Sequence, residues 1–296
     1  MASVKWYLFN FQIWIVLFDY SVGLLTIPVL LIPHFAISSL GILRVLGVPT
    51  MVQTLIMFTL QAYIMNSIVA IFKNRLFAVC WFPYKSFWAR YKRSWILAHY
   101  FFLPFALVIF GFLAPEQKEA KQRLIQNLPC LPDYILHSPI FVVCEDYTYQ
   151  LLLMVFYTSL TCSEVLIRVG FLGWNSIQQL KTKLISYKTY LMQRNFFIAL
   201  LIQIWVPMVM LIVPFCYEWM AVIFNYYNQV YNNFAIVTVA MHGMVSTVVT
   251  LLVHQPYRKV LRATLWKSFG MFCVESCPKL CCPKKRRDLA TPIQLY

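Results

Sequence analysis

Charge is the scarcest commodity in this chain. Only 12% of its 296 residues are Asp, Glu, Lys or Arg, against about 25% in a soluble domain, so roughly half of the usual solvating surface is missing. Acid is scarcer than base, with 10 Asp and Glu against 25 Lys and Arg. Glycine is down to eight residues, and neither a Gly-rich phosphate loop nor a Gly-x-Ser-x-Gly elbow occurs. The five histidines, His34, His99, His137, His242 and His254, form no His-x-x-His or His-x-x-x-His pair. The metal boxes of membrane desaturases and hydroxylases are therefore absent. These gaps argue against an enzyme, and no cofactor and no metal site is expected.

What fills the chain instead is apolar residue, 61% of the total, with 17% aromatic. Trp6 to Pro33 carries the single charge Asp19. Charge-free spans then run over Val45–Phe72, Ser94–Pro115, Tyr147–Ser163, Asn195–Tyr217 and Trp219–Tyr257. About 20 apolar residues in a helix cross the hydrocarbon core, where irregular chain is excluded by its unpaired backbone groups. The runs show no period-two alternation, which argues against a barrel. The fold class expected is an all-α integral membrane protein. Six transmembrane helices are placed near 5–33, 49–72, 95–114, 147–171, 196–224 and 234–256. The polar stretch Asn225 to Asn233 reads as a loop, and Glu116 to Arg123 as a short solvated helix. Pro28, Pro104, Pro207 and Pro214 are expected to kink helices or mark their ends.

The net charge of +15 does not point to nucleic acid, because the bases are not spread evenly. From Arg258 onward there are nine Lys/Arg and two acids, between Lys73 and Arg93 six Lys/Arg and no acid, and between Arg168 and Arg194 five Lys/Arg. The intervening segments are not basic: Pro33–Val48 has only Arg44, Glu116–Asp146 has three basic and five acidic residues, and Glu218–Asn233 has one acid. Strict alternation of this kind follows the positive-inside rule and suits anionic inner-leaflet lipid as a partner. Both chain ends are then cytoplasmic. Residues 1–257 form the transmembrane bundle and 258–296 a cytoplasmic tail. In that tail Leu261, Leu265 and Phe269 recur every four residues while Arg258, Lys259, Arg262 and Lys267 occupy other faces, the pattern of an amphipathic helix on a membrane surface.

Few residues stand out chemically. Asp19 lies ~21 Å along a helix from Lys5 at ~1.5 Å per residue, past mid-membrane. A central acid costs roughly 2.5–3.5 kcal/mol on insertion scales, so it is expected to face the bundle interior, as a packing residue or as a cation or water site that helps a switch. His242 is at ligand-pocket depth and is read either as a satisfied interior histidine or as a ligand contact. Glu164 and Arg168 are expected to pair with each other at four-residue spacing. Asn66, Ser67 and Gln203 read as interhelical hydrogen-bonding groups. Cys130 and Cys144 fall on the outer side, where a disulfide persists, and either pair or find other partners. Cys273, Cys277, Cys281 and Cys282 precede the basic run Lys284-Lys285-Arg286-Arg287, a context that suits lipidation of the thiols better than zinc, with unmodified thiols as the other alternative.

His242-Gly243-Met244-Val245-Ser246-Thr247, followed by His254-Gln255-Pro256-Tyr257-Arg258, resembles the last helix of nematode serpentine chemoreceptors of class H. Val4-Lys5-Trp6-Tyr7-Leu8 looks like the start of that family's second helix, and Gly47-Val48-Pro49-Thr50 with Gln53-Thr54 like the start of its third. Asn74-Arg75, Pro129-Cys130-Leu131-Pro132, Gln203 with Pro207 and Pro214, and Asn225-Tyr226-Tyr227-Asn228-Gln229 with Asn232-Asn233 extend the resemblance along the whole chain. It implies a chemosensory receptor on sensory-neuron cilia. Such a receptor takes an external small molecule within the helix bundle and signals to a heterotrimeric G protein. Asn74, Arg75, Pro256, Tyr257 and Arg258 would then serve switching and coupling. The family usually has an acid before Asn-Arg; Lys73 stands there instead, so no local ion-pair lock to Arg75 is expected and basal activity should rise. The family also has seven helices, and this chain begins at the second, so the first is expected to be absent, through a gene-model error or a true truncation. The rival readings are a transporter or channel subunit, and a truncated receptor that no longer signals.

Overall fold

The computed structural model describes residues 2–79, 85–128, 135, 138–182, 186–253 and 258–264. Two compact units divide the chain, Met1–Val249 and Thr250–Tyr296. The first holds helices α1 (Ala2–Tyr20), α2 (Ile42–Val45), α3 (Thr50–Val79), α4 (Lys85–Phe112), α5 (Gln117–Asn127), α6 (Thr148–Lys181) and α7 (Tyr187–Ile223), and most of α8 (Gln229–Val253). It also holds strands β1 (Pro28–Leu31), β2 (Ala36–Ser39) and β3 (Ile140–Val142). In the second unit, residues 258–264 are helical, and Arg258 is half-buried.

Among the described residues, five segments are long and apolar enough to cross a membrane: Trp6–Thr26, Thr50–Ala78, Thr148–Lys181, Tyr187–Ile223 and Gln229–Val253. The protein is a helical integral membrane protein. The core of its helical part repeats at heptad-like spacing. Phe11, Ile15, Phe18 and Val22 on α1 and its extension meet Met57, Ile64, Ile68 and Ile71 on α3, with Leu200, Ile204 and Leu211 from α7. Spacings of three and four put such residues on one helix face. The opposite face of α1 is equally apolar but exposed, with Trp6, Phe9, Ile13 and Leu17 on it, which is how a lipid-facing surface is built. Helix α3 is central, packed on α1, α4 and α6.

The first helix ends earlier than its apolar run predicts. After Tyr20 the chain widens into a π-helical turn, Ser21–Thr26, and Thr26 Oγ1 donates to Ser21 O at 2.7 Å. Ile27 then adopts φ 40°, and Pro28, which has no N–H to continue a helix, opens β1. The run from 28 to 33 that reads as helix is a strand and the start of a turn. The three strands form an antiparallel sheet in the order β1-β2-β3, with Leu31 opposite Ala36 and Ala36 opposite Val142. One face, with Leu31, Ala36, Ile140 and Val142, packs on Ala120 and Leu124 of α5; the other carries Ile37, Phe141 and Val143. The short helix predicted at 116–123 runs on to Asn127, and its side chain Gln117 pairs with β3 as a further strand would. Its Nε2 donates to Val142 O at 3.1 Å and its Oε1 accepts from Val142 N at 2.9 Å.

This sheet and α5 cap one end of the bundle. Ser39 Oγ donates to Gln53 Oε1, and Gln53 Nε2 donates to Val48 O at 2.7 Å. Thr50 Oγ1, at the start of α3, donates to Pro139 O at 2.8 Å. Gly41 sits so close to the Leu25 and Thr26 backbone that a Cβ there would overlap it; only glycine fits. The last long helix also begins earlier than its polar composition predicts. Within 225–233, Asn225 makes the turn at φ 49°, and Asn228 Oδ1 accepts from Val230 N and Tyr231 N at 3.1 and 3.2 Å. That is an N-cap, and it starts α8 at Gln229.

Candidate functional site

Two long helices that are far apart in sequence meet at an acid. Asp19, on the last turn of α1, projects onto α8, where its Oδ1 lies 3.2 Å from His242 Nδ1. A Cβ on Gly243 would fall on the Asp19 carboxyl, so glycine here is what admits the acid to the helix surface. The imidazole is fully buried, and Phe18 stands edge-on to it with ring centroids 5.3 Å apart. Its Nδ1 is also 2.7 Å from Val239 O. With the proton on Nδ1 donated to that carbonyl, Nε2 is a bare acceptor, and it has no hydrogen-bond partner among the described residues. A buried polar atom without a partner costs about 1–3 kcal/mol, which makes the pair a place where an additional donor would be stabilised. Further along the same two helices Gln12 Nε2 donates to Thr247 Oγ1 at 2.9 Å, a second polar tie between α1 and α8.

A neutral network occupies the other side of α1. Asn10 Nδ2 reaches Ser67 Oγ at 3.1 Å and Tyr100 OH at 3.0 Å, and its Oδ1 accepts from Trp14 Nε1 at 3.2 Å. Ser67 Oγ and Tyr100 OH are 2.8 Å apart. The rings of Trp14, Tyr63 and Tyr100 cluster at centroid distances of 4.5, 5.1 and 6.1 Å. Asn66 Nδ2 donates to His99 O at 3.4 Å, tying α3 to α4. Asn10, Gln12, Trp14, Tyr63, Tyr100 and Gly243 escape a sequence reading centred on charge. The signal for two of them is an amide within an apolar run, and neither amide has a satisfied place against lipid.

At the opposite end of α3 from the sheet, Lys73 and Asn74 are buried and Arg75 is half-buried. The Arg75 guanidinium carbon stands 3.5 Å over the Phe196 ring of α7, a cation–π contact. Its Nε has no hydrogen-bond partner among the described residues. Arg75 thus bridges α3 to α7. Glu164 and Arg168 pair at 2.8 Å within α6, as their spacing predicts. Cys144 carries a free, buried thiol, which burial and the nearby Asp146 carboxylate push up to about 12. Cys130, Pro256, Tyr257, Cys273, Cys277, Cys281 and Cys282 lie outside the described residues. Among the described residues no group of three or more His, Cys, Asp or Glu is arranged to hold a metal ion.

The family model of the serpentine type 7TM GPCR chemoreceptor Srh matches residues 1–267. The chain belongs to that family. This Srh chain is also similar to serpentine receptor class H-72 of Caenorhabditis elegans, 24% identical over 274 residues, which cover 90% of this chain and 77% of the relative. No solved structure matches. As a member of the Srh family it is a chemoreceptor of the G-protein-coupled type, and its long helices place it in a membrane as a multi-pass protein.

Proposed function

We propose that this receptor binds an external small molecule within its helix bundle and activates a heterotrimeric G protein, at the plasma membrane of a sensory ending. The observation that carries the reading is the Srh family match along the whole helical part. The Asp19–His242 contact supports a site for it between α1 and α8. It joins α1 to α8 through a buried histidine and a half-buried acid with spare hydrogen-bonding capacity, so a ligand with a donor or acceptor is stabilised there and shifts how the two helices meet. A ligand moves such an equilibrium only by its difference in affinity for the two arrangements. The Arg75–Phe196 contact between α3 and α7 is the element at the other end that such a shift would bias, next to basic loops that suit an intracellular partner.

In this reading α4 is the sixth span, 1–257 is the transmembrane bundle, and 258–296 is a tail held to the inner leaflet by its basic helix and by acyl chains on Cys273, Cys277, Cys281 and Cys282. Residues 116–146 are extracellular. Arg258 and the preceding Pro256-Tyr257 face the G protein. The test is expression in cells carrying a panel of G-protein dissociation sensors, challenged with small lipophilic compounds. A response that needs both the receptor and one sensor supports the reading, and ligand-dependent conductance without any sensor response overturns it. Epitope tags at 116–146 and after Arg258 check the orientation, and a tail tag detected on unpermeabilised cells reverses it.

A further inference from the structure

The cap contains a cavity that the receptor reading does not use. It measures about 360 Å³, within the ~300–1,000 Å³ range of small-molecule sites. Its walls come from the turn between β1 and β2, from α5, and from the end of β3. Phe35, Leu124 and Val142 supply the apolar wall, and His34 and Asn127 the hydrogen-bonding groups. Arg123 and Glu145 also line it, but their charges are spent on each other. Arg123 Nε donates to Glu145 Oε1 at 2.8 Å and its second amino group to Oε2 at 3.1 Å. Burial lowers the pKa of His34 from its ordinary value of 6.5, so the imidazole is neutral at physiological pH.

The turn that forms the wall is held in an unfavourable shape. Phe35 adopts φ 45°, a left-handed conformation uncommon for a bulky residue. The surroundings impose it: Val143 N donates to Phe35 O at 2.9 Å, and the Phe35 ring lies 4.9 Å from that of Trp219 on α7. Strain of this sort persists where the structure over-determines it, and it concentrates at ligand clamps. An occupant of the cavity therefore presses on a residue that already touches a long helix of the bundle.

We propose that this cap cavity is a second ligand site, separate from the Asp19–His242 pair. Its occupant is an uncharged, amphipathic small molecule that lays an apolar ring or chain on Phe35, Leu124 and Val142 and a hydrogen-bonding group on His34 and Asn127. A charged ligand is disfavoured because, among the described residues, no unpaired countercharge lines the wall, and an ion that sheds water without a partner loses far more than it gains. The proposal builds on the receptor reading, but its test measures binding without a G protein, so its failure and a failure to signal are told apart.

The experiment uses the full chain in nanodiscs and saturation-transfer difference NMR, with empty nanodiscs subtracted. The probes are indole, its anionic relative indole-3-acetate and its cationic relative tryptamine. Saturable indole binding is expected, with both charged probes at least about tenfold weaker because their charge is desolvated unpaired. Asn127→Trp, at the exposed rim, fills the cavity and should abolish the indole signal. His34→Leu removes one hydrogen-bonding group and should weaken it several-fold. Melting temperatures confirm that each variant is folded, and either variant alone suffices. Absence of saturable indole binding, a signal unchanged in a folded variant, or a charged probe that binds as well as indole overturns the proposal.

Discussion

Helices α3 and α6 are both long and apolar, yet they do opposite work. Over the apolar window of each, 56% of α3 is buried inside the protein and only 6% of α6. Helix α3 sends Gln53, Asn66, Ser67, Lys73 and Asn74 into the interior, where partners from other elements meet several of them. Helix α6 shows Leu152, Leu153, Phe156, Leu166 and Ile167 to the outside, and its polar groups turn back on itself. Thr161 Oγ1 donates to Tyr157 O at 2.9 Å, Ser176 Oγ to Leu172 O at 2.8 Å, and Arg168 pairs with Glu164. Lipid gives no hydrophobic reason for helices to associate. The polar residues that leave their own helix therefore decide which helices meet, and the self-satisfied ones do not.

The largest expected effect is on stability. Gln53→Leu leaves the Val48 carbonyl without the donor it now has and takes Gln53 from the Ser39 hydroxyl, which keeps only its bond to Thr26 O. At about 1–3 kcal/mol for each orphaned buried group, the melting temperature in nanodiscs should fall sharply. Leu153→Ala, on the exposed face of α6, should change stability by about 0.5 kcal/mol or less. Comparable losses in the two variants would break the contrast.

Next comes ligand response. Asp19→Asn preserves the shape of the side chain and removes the charge beside His242. Gly243→Ala pushes the carboxyl off the helix surface. Each should shift the half-maximal ligand concentration by about tenfold, a typical coupling energy between sites, with surface expression retained. Glu164→Gln removes an acid of the same charge whose partner is on its own helix, and its dose–response curve should superimpose on that of the unmodified receptor. A shift for Glu164→Gln as large as that for Asp19→Asn would mean that the charge matters and the interhelical contact does not.

A smaller effect is expected at the far end of α3. Arg75→Ala removes the contact with Phe196 and should reduce maximal G-protein activation several-fold, a cation–π contact being about 0.5–2 kcal/mol. Arg168→Ala on α6 should leave it unchanged. Lys73→Glu, which restores the acid that the family usually carries, should lower basal signalling. Equal activity of Arg75→Ala and Arg168→Ala at matched expression would remove Arg75 from the coupling role.

Much of α3 and α1 is legible in the sequence, because period and cost are local. The spacing of Phe11, Ile15, Phe18 and Val22 marks one face, and the expense of a mid-membrane acid turns Asp19 inward. Its partner is not legible, since His242 meets it only through the approach of helices more than 200 residues apart. The sheet is hidden for another reason. Pro28 to Leu31 continues an apolar run without alternation and looks like membrane helix, while Ala36 to Ser39 is too short to announce a strand. The start of α8 is masked by polarity: Asn228 and Gln229 read as loop, although an asparagine side chain bonding forward to backbone N–H groups is itself a helix signal. The cap cavity has no sequence signature, because its walls come from a turn, a helix and a strand that only the sheet brings together.

The smallest effect, nil at neutral pH, tests the end of the cap where the chain passes from β3 towards α6. Cys144 carries a thiol pushed from 9.0 up to about 12 by burial and by the nearby Asp146. The folded state therefore holds this proton more tightly than the unfolded chain does. The stability linked to it is fully present below pH 9 and is lost as pH rises towards 12. Reactivity follows the same proton, because only the thiolate attacks iodoacetamide. At pH 9 a thiol at the ordinary value of 9.0 is half ionised and Cys144 about five-hundredfold less so. Peptide mass spectrometry should find Cys144 labelled far more slowly than a small-molecule thiol at that pH. Between pH 9 and pH 11 its rate should rise about a hundredfold, while that of the ordinary thiol only about doubles. Labelling at an ordinary thiol's rate with the cap folded would show that Cys144 is not buried as described, and recovery of a Cys130–Cys144 linked peptide would replace the free thiol with a disulfide.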